Sequence, residues 1–199
     1  MHQWEGHNDA WRGYSYTGFG SIYAMMGEGN KTHQLLNEMI DKGRFSIKPN
    51  TMYLEAGPVI ETPLSAVTTI NEMLLQSWGG VIRVFPAIPD SWTEASFAGL
   101  HAKGNFLVSA VRKNGTTTFI RIKSLSGQPC IVRTGWTGDI KTTGKRKFTV
   151  TNKNEDKIVI DLKKGEEVIL YTGAKPSSFF ITGATTDKNE NYWGLHQKN

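Results

Sequence analysis

Two glutamates in the middle of the chain are the residues best placed to do chemistry. Glu55 lies inside an irregular stretch, residues 44–60, and Glu61 follows it directly, ahead of a helical pattern. A long loop between helices is unusual in a compact domain and is often functional. Carboxyl groups can act as general acids or bases, so both glutamates are candidate site residues. An acid at a helix start is also favoured without any catalytic role, because it interacts with the helix dipole by about 0.3–1 kcal/mol.

The start of the chain adds a second group of polar and aromatic side chains. His7, Asn8, Asp9 and Trp11 are crowded together there. Such a mixture is common in a binding cleft, where Trp11 would serve as a stacking platform. It is also common in a loop that packs on a helix, and the sequence leaves both interpretations open.

The helix that must position Glu61 has the clearest start signal in the chain. Thr62 is predicted to be its N-cap and Pro63 its first helical residue. Gly79 and Gly80 are predicted to end it, because glycine adopts the left-handed conformation that closes helices. Apolar residues at helical spacing predict a face that is turned to the core: Leu64, Val67, Ile70, Met73, Leu74 and Trp78.

Two earlier segments are predicted to form a helical hairpin. The second half of residues 13–27 is helical in pattern, with Met25 and Met26 as core residues. Asn30 is predicted to cap a second helix over residues 31–42, which Gly43 ends. Its inward face is predicted to hold Leu35, Leu36, Met39 and Ile40.

From Val81 onward the apolar period changes to two, which predicts strands. Asn114-Gly115 is a strong signal for a hairpin with a type I′ turn, and Thr116, Thr118, Ile120 and Ile122 are predicted to share one face beyond it. Further strands are predicted at residues 81–85, 129–133, 147–151, 157–162 and 166–171. Short strands with glycine and asparagine turns favour an antiparallel sandwich, and parallel pairing is not expected.

Around this change of period the sequence resembles a known family. The segments EMLLQSWGGVIRVFPAIPDSW, GLHAKGNFLVSAVRKNG and SLSGQPCIVR resemble the end of glycoside hydrolase family 95, the α-L-fucosidases and their relatives. The likeness extends from about Glu55 to Arg133. It implies that the helices are the last of an (α/α)6 barrel and that the strands form a C-terminal β domain.

The resemblance also implies a chemistry and assigns positions to it. The family is inverting: a glutamate is the acid, and asparagines that an aspartate polarises activate the water. Counting back from Glu72 without a gap puts Glu61 at that aspartate, Glu55 at a sugar-binding histidine, and Pro63 at an asparagine. We therefore expect Glu61 as the catalytic residue. Glu55, His7, Asn8 and Trp11 are expected to bind the substrate.

The expected fold is therefore α+β, with helical hairpins from the end of an (α/α)6 barrel followed by an antiparallel β-sandwich. Residues 1–80 are expected to be the barrel helices, 81–174 the sandwich, and 175–199 a polar tail or strap. Trp78 and Trp92 are predicted to lie in the core between the two parts.

The expected activity is hydrolysis of a terminal sugar, α-L-fucose or L-galactose-like, from an oligosaccharide. The family's general acid has no counterpart in these residues, so the chain is expected to be a fragment and inactive alone. We expect an upstream barrel polypeptide, or self-association, to cover the apolar helix faces. The alternative is a non-catalytic carbohydrate-binding or structural module.

Composition and charge limit the other classes of function. The net charge is +5, and the cluster Lys145-Arg146-Lys147 is expected to be a solvated hairpin rather than a nucleic-acid site. Cys130 is the single cysteine, which excludes an internal disulfide, and it is predicted to be a buried strand residue.

No CxxC or HExxH pattern predicts a metal, and no motif predicts a cofactor. No apolar stretch is long enough to cross a membrane. The first residues do not resemble a signal peptide, whereas the family resemblance implies a periplasmic or secreted protein.

Overall fold

Helices dominate the first part of the chain, and strands dominate from Leu75 onward. The computed structural model describes residues 6, 10–41, 53–54, 58–145, 150–154 and 157–183. Among these residues the helices are α1 (Gly13–Met25), α2 (Gly29–Asp41) and α3 (Glu61–Leu74). The helical bounds confirm helices in all three segments where the sequence predicts them.

The strands form two five-stranded sheets, in which most neighbouring strands are antiparallel, and one small hairpin. Their bounds are β1 (Tyr53–Leu54), β2 (Pro58–Val59), β3 (Leu75–Gln76), β4 (Ile82–Val84), β5 (Ala95–Ala102), β6 (Phe106–Lys113), β7 (Thr116–Ser124), β8 (Cys130–Arg133), β9 (Ile140–Gly144), β10 (Val150–Asn154), β11 (Lys157–Ile160) and β12 (Glu167–Thr172). One five-stranded sheet, which we call the inner sheet, has the order β10-β11-β8-β4-β3. The other, which we call the outer sheet, has the order β5-β6-β7-β12-β9. The hairpin joins β1 to β2.

The two larger sheets enclose one apolar core. Side chains from both sheets are fully buried between them, including Val108, Ile120, Ile122, Val132, Ile160, Val168 and Leu170. Cys130 is also buried there, which confirms its prediction as a strand residue of the core. A fold with helices followed by an antiparallel β domain agrees with the expected class.

The predicted start of α3 is wrong. Ile60, with φ −106° and ψ −21°, is the N-cap, and its carbonyl accepts a hydrogen bond from the Leu64 N–H at 3.2 Å. Thr62 is buried inside the first turn instead. The missing N–H of Pro63 costs nothing at this position, because the first four N–H groups of a helix have no partner inside it.

The predicted end of α3 is also wrong. The helix ends at Leu74, and Leu75 is extended, because residues 75–76 pair with β4 as a strand. Gly79 and Gly80 have φ of +64° and +71° and make the turn of the β3–β4 hairpin. The glycines therefore have the predicted conformation but serve a hairpin rather than a helix end. This hairpin spans the boundary expected at residue 80, and the domain division stays a prediction.

The start of α2 differs from the prediction as well. Asn30 lies inside the helix, and its side chain accepts a hydrogen bond from the Asp90 N–H at 2.9 Å and donates one to Asp90 Oδ2 at 2.8 Å. These bonds join the helical part to the segment after β4. Leu35, Leu36 and Met39 are buried as predicted, whereas Ile40 is exposed, and Gly43 lies outside the described residues.

The Asn114-Gly115 hairpin is confirmed. Asn114 and Gly115 have φ of +49° and +74°, as a type I′ turn requires. Beyond it, Val111 pairs with Phe119 but Arg112 pairs with Thr117, so a bulge interrupts the alternation. Ile120 and Ile122 share the core face as predicted, but Thr116 is exposed and does not.

One pair of strands is parallel, contrary to the prediction. Ile82 pairs with Val132 and Arg83 with Arg133, so β4 and β8 run in the same direction. Parallel neighbours need a long connection, which is usually a helix. Here the strands β5 to β7 of the other sheet supply that connection.

Strands β5 and β9 were not predicted. The sequence of β5, ASFAGLHA, is poor in β-branched residues, and a bulge at Gly99 interrupts its pairing with β6. Residues 145–147 were predicted to form a hairpin, but β9 and β10 belong to different sheets. The structure describes only Lys145 of the basic cluster, and Arg146 and Lys147 lie outside the described residues.

Trp92 lies where the two parts meet, as predicted. It packs against the helical core and makes an edge contact with His33 at 5.4 Å between ring centroids. Trp78 is 48% exposed, so its predicted core position is wrong. Its indole N–H donates to Gln76 Oε1 at 3.1 Å, and the Arg83 guanidinium stacks 3.9 Å from its ring, so the side chain is held on the surface.

Candidate active-site end of the helical pair

Helices α1 and α3 lie side by side and share a seam of hydroxyl groups. The Ser65 hydroxyl donates to Thr17 Oγ1 at 2.7 Å, and the Thr69 hydroxyl donates to the Thr17 carbonyl at 2.9 Å. Ser21 Oγ and Thr69 Oγ1 are 2.8 Å apart. These contacts join residues separated by 48 or 52 positions, and so nearly constant an offset means that the helices run parallel. Their N-terminal ends therefore lie together.

Close approach makes this seam possible. A Cβ atom on Gly20 would lie 3.0 Å from Thr69 Cγ2, so a larger residue would push the helices apart. Near the other end, the buried Gln76 side chain donates to the carbonyls of Ala24 and Glu72 at 2.8 and 2.9 Å. The seam is buried but polar, and its hydroxyl groups find partners within it.

The seam reverses the predicted orientation of α3. Its buried face consists of Thr62, Ala66 and Thr69 together with Met73, which is buried as predicted. The apolar face that was predicted to be buried is exposed at Leu64 (58%) and Val67 (54%), and also at Ile70. Periodicity finds the apolar stripe correctly. It does not determine which stripe contacts α1, because short hydroxyl side chains can bury themselves by bonding to backbone carbonyls.

Helix α1 also exposes apolar side chains. Tyr14, Ile22, Met25 and Met26 are exposed, so the prediction that the two methionines fill the core is wrong. Two adjacent helices thus present large apolar residues to solvent. Exposed surfaces of this kind usually mark a binding surface for protein.

Glu61 lies at the end where α1 and α3 begin. Its side chain is exposed, and its Oε2 accepts a hydrogen bond from the Ile60 N–H at 3.0 Å. The carboxylate thus lies at the N-terminus of α3, where an acidic side chain interacts favourably with the helix dipole. Within the first two turns of α1 and α3, Glu61 is the only carboxylate.

Trp11 lies two residues before the first residue of α1, at the same end of the helical pair. Its ring stacks on Phe19, with 4.8 Å between centroids, and meets the Tyr16 ring edge-on at 5.2 Å. The side chain is half-buried. The structure therefore brings Trp11 and Glu61 to one end of the helical pair, with the Trp11 ring fixed by α1.

The other predicted site residues cannot be placed in this way. His7, Asn8, Asp9 and Glu55 lie outside the described residues. The described part of this end supplies one carboxylate and one aromatic ring. A glycosidic bond is cleaved by an acid and a base on opposite sides of it, so these two groups alone do not complete a hydrolytic site.

Glu72 is an ionisable group that the sequence reasoning did not single out. Its Oε2 is buried and has no hydrogen-bond partner among the described residues, and burial raises the pKa of the Glu72 carboxyl above its ordinary value. No periodic signal distinguishes it from an exposed helical glutamate. It lies near the C-terminal end of α3, away from Glu61 along the helix.

Cys130 is excluded as a nucleophile by its surroundings. Burial raises the pKa of the Cys130 thiol to about 12, so the reactive thiolate is scarcely present near neutral pH. Among the residues that the structure describes, no group of His, Cys, Asp and Glu side chains is arranged to hold a metal ion. None of the described helices has the length and hydropathy to span a membrane.

Comparison with known proteins identifies the β half of the chain. Residues 76–170 match the family model for "Glycoside hydrolase family 95, C-terminal domain". No curated protein matches the chain. The matched range begins in β3 and ends in β12, so it covers the strands of both larger sheets. Over residues 76–170 the chain is therefore similar to the C-terminal domain of glycoside hydrolase family 95.

Proposed function

We propose that this chain is the C-terminal part of a glycoside hydrolase that removes a terminal sugar, α-L-fucose or L-galactose-like, from an oligosaccharide. The observation that carries the proposal is the family 95 match over residues 76–170. A match to this domain supports a glycosidase context for the chain. The sugar, the linkage and the barrel are parts of the proposal.

In this proposal, further helices complete an (α/α)6 barrel around α1, α2 and α3. The support is the exposed apolar surface of α1 and α3, where Tyr14, Leu64 and Val67 are each more than half exposed. Burying one large apolar side chain contributes about 1.5–3 kcal/mol of stabilisation. A partner that covers several of them would be bound with several such contributions. The partner is an upstream barrel polypeptide or, failing that, a second copy of the chain.

Glu61 is proposed to act at the end where α1 and α3 begin. Its carboxylate would polarise the groups that activate water for attack on the anomeric carbon, as the aspartate of the resembled family does. Trp11 would stack against the sugar. The general acid would come from the completing polypeptide, so the chain alone is expected to give no turnover.

The test is an assay of aryl α-L-fucoside hydrolysis, first with the chain alone and then with the candidate upstream polypeptide added. We expect turnover only in the mixture, with inversion at the anomeric carbon seen by NMR. Glu61→Gln should lower kcat by about 10²-fold or more, since even misplacing a catalytic group by about 1 Å has such an effect. Glu28→Gln changes another exposed glutamate and should leave kcat unchanged.

Two outcomes would refute this proposal. Turnover by the chain alone that Glu61→Gln abolishes would mean that no further polypeptide is needed. Turnover in the mixture that Glu61→Gln leaves intact would remove Glu61 from the mechanism.

The second candidate is a non-catalytic carbohydrate-binding or structural module. The Glu61 carboxylate is bonded to the Ile60 N–H, which is the arrangement expected of an acid that only stabilises a helix start. This candidate predicts saturable sugar binding or none. It also predicts no turnover after the upstream region is supplied.

A further inference from the structure

A groove lies between the edge strand β5 and the segment that follows β12, far along the chain from Glu61. Of the tail or strap expected at residues 175–199, the structure describes residues 175–183, which we call the strap, and we call the groove beside it the strap groove. Its volume is about 670 Å³, and its walls include Glu94, Arg112, Lys113 and Phe180. Small-molecule sites commonly have volumes of about 300–1,000 Å³. The strap groove is therefore large enough for a ligand of more than one sugar ring.

The strap is fixed to the outer sheet. Phe179 and Ile181 pack against the cluster of Val111, Phe119 and Tyr171 on the outer face of that sheet. Arg121 donates a hydrogen bond from Nη2 to the Phe179 carbonyl at 2.9 Å. These contacts hold one side of the strap against the sheet.

Anchoring Phe179 and Ile181 turns the residue between them outward. Phe180 is 87% exposed, although both its neighbours pack inward. It also lines a second groove of about 720 Å³, on whose wall Lys175 lies. Its ring thus stands on a ridge between two grooves, where a flat ligand face can stack on it.

The charges of the strap groove favour an anion. Arg112 and Lys113 outnumber the one carboxylate of the wall, Glu94. Within the described part of the chain, the Nε of Arg112 is buried and has no hydrogen-bond partner. The Arg112 side chain is half-buried, and because its Nε is closed to solvent, a ligand in the groove would contact the terminal Nη groups.

We propose that the strap groove binds an acidic saccharide. A carboxylate or sulfate of the ligand would accept hydrogen bonds from Arg112 and attract Lys113, while a sugar ring would stack on Phe180. The preference for an anion comes from the groove itself. The choice of a saccharide over another polyanion rests on the proposed function. A nucleic acid fits less well, because single-strand binding uses several exposed aromatic rings in succession. Of the two phenylalanines among the described residues that line the groove, Phe97 is buried and Phe180 is exposed.

The test is isothermal titration of the chain with an oligogalacturonate, and with an uncharged oligosaccharide of the same length as the comparison. We expect the oligogalacturonate to bind and the neutral sugar to bind much more weakly. Arg112→Met should weaken binding about tenfold or more, because hydrogen bonds to charged groups are the stronger class. Phe180→Ala should weaken it about fivefold. Lys164→Gln removes one exposed positive charge outside the groove and should have little effect.

The circular dichroism spectrum of each variant should match that of the parent, because Phe180 is exposed and Arg112→Met keeps the length of the side chain. Equal affinity for acidic and neutral sugars would overturn the proposal, as would binding that Arg112→Met and Phe180→Ala both leave unchanged. Tighter binding of a single-stranded oligonucleotide through the same two residues would overturn the saccharide assignment. Fucoside turnover is measured separately, so its failure would count against the proposed function and not against the strap groove.

Discussion

Gly29 is the glycine at which the packing of the helical part against the β half is tested most directly. It is the first residue of α2 and is buried. A Cβ atom there would lie 2.5 Å from the Ala87 carbonyl oxygen and 2.6 Å from the carbonyl carbons of Ala87 and Ile88. Ordinary contact begins at 3.4 Å, so the backbone after β4 would have to move by about 0.9 Å (3.4 − 2.5). Gly29→Ala should therefore destabilise the protein.

The magnitude follows from comparison with a matched glycine. Overpacking of this kind costs about 1–3 kcal/mol. Gly18 lies in the exposed part of α1, and its Cβ would meet nothing within 4 Å, so Gly18→Ala should stabilise by about 1 kcal/mol through helix propensity. The two variants should thus differ by about 2–4 kcal/mol. For a chain of this size, that corresponds to a difference in Tm of roughly 4–16 °C.

The assay is urea unfolding followed by circular dichroism, with a thermal scan as a second measurement. We expect the midpoint to fall for Gly29→Ala and to rise for Gly18→Ala, with the slope m unchanged in both. If Gly29→Ala is as stable as the parent, the backbone at Ala87 can move without a cost in free energy, and the inference of a tightly packed junction is wrong.

Three further predictions concern buried groups. Burial raises the pKa of the Glu72 carboxyl in the folded protein. Between the ordinary pKa of about 4.3 and this raised pKa, the folded protein keeps a proton that the unfolded chain has lost. The free energy of unfolding should therefore decline as the pH rises through this window. Glu72→Gln should remove that decline in urea unfolding measured across this window, and an unchanged profile would contradict the burial of the carboxyl. Gln76→Ala should cost about 1–3 kcal/mol, because the Ala24 and Glu72 carbonyls each lose a donor, whereas Gln34→Ala on the exposed face of α2 should change the midpoint little. Cys130 should react with a thiol reagent only at the rate of unfolding, and rapid labelling of the native protein would show that the core opens locally.

Much of the β half could be predicted because its signals are local. The Asn114-Gly115 turn needs only two residues that tolerate positive φ, and both have it. Strands β8, β11 and β12 lie close to their predicted positions, because alternating apolar residues fit a sheet with one buried face. The family resemblance, carried by the segment around Trp78, agrees with the match over residues 76–170.

The candidate site could be predicted only in part. The sequence predicts that Glu61 lies at a helix start, because Pro63 and the apolar pattern follow it. That Trp11 lies at the same end of the helical pair depends on α1 and α3 being parallel and in register, which hydrogen bonds between residues 48 or 52 positions apart establish. The strap groove depends on contacts between β6 and residues near the far end of the described chain. Because these residues are distant in the sequence, no local pattern predicts the groove.

The sequence by itself determined that a mainly helical part precedes the strands, that Asn114-Gly115 turns a hairpin, and that Cys130 is buried, because these depend on the conformational preferences and polarity of neighbouring residues. Tertiary structure decided which face of α3 is buried, where that helix ends, and that β4 pairs parallel to β8. Each of these is a choice between partners that are distant in the chain. The threonine face of α3 was buried because hydroxyl groups on α1 and a glycine lay opposite it, and the apolar face stayed exposed because no described element reaches it.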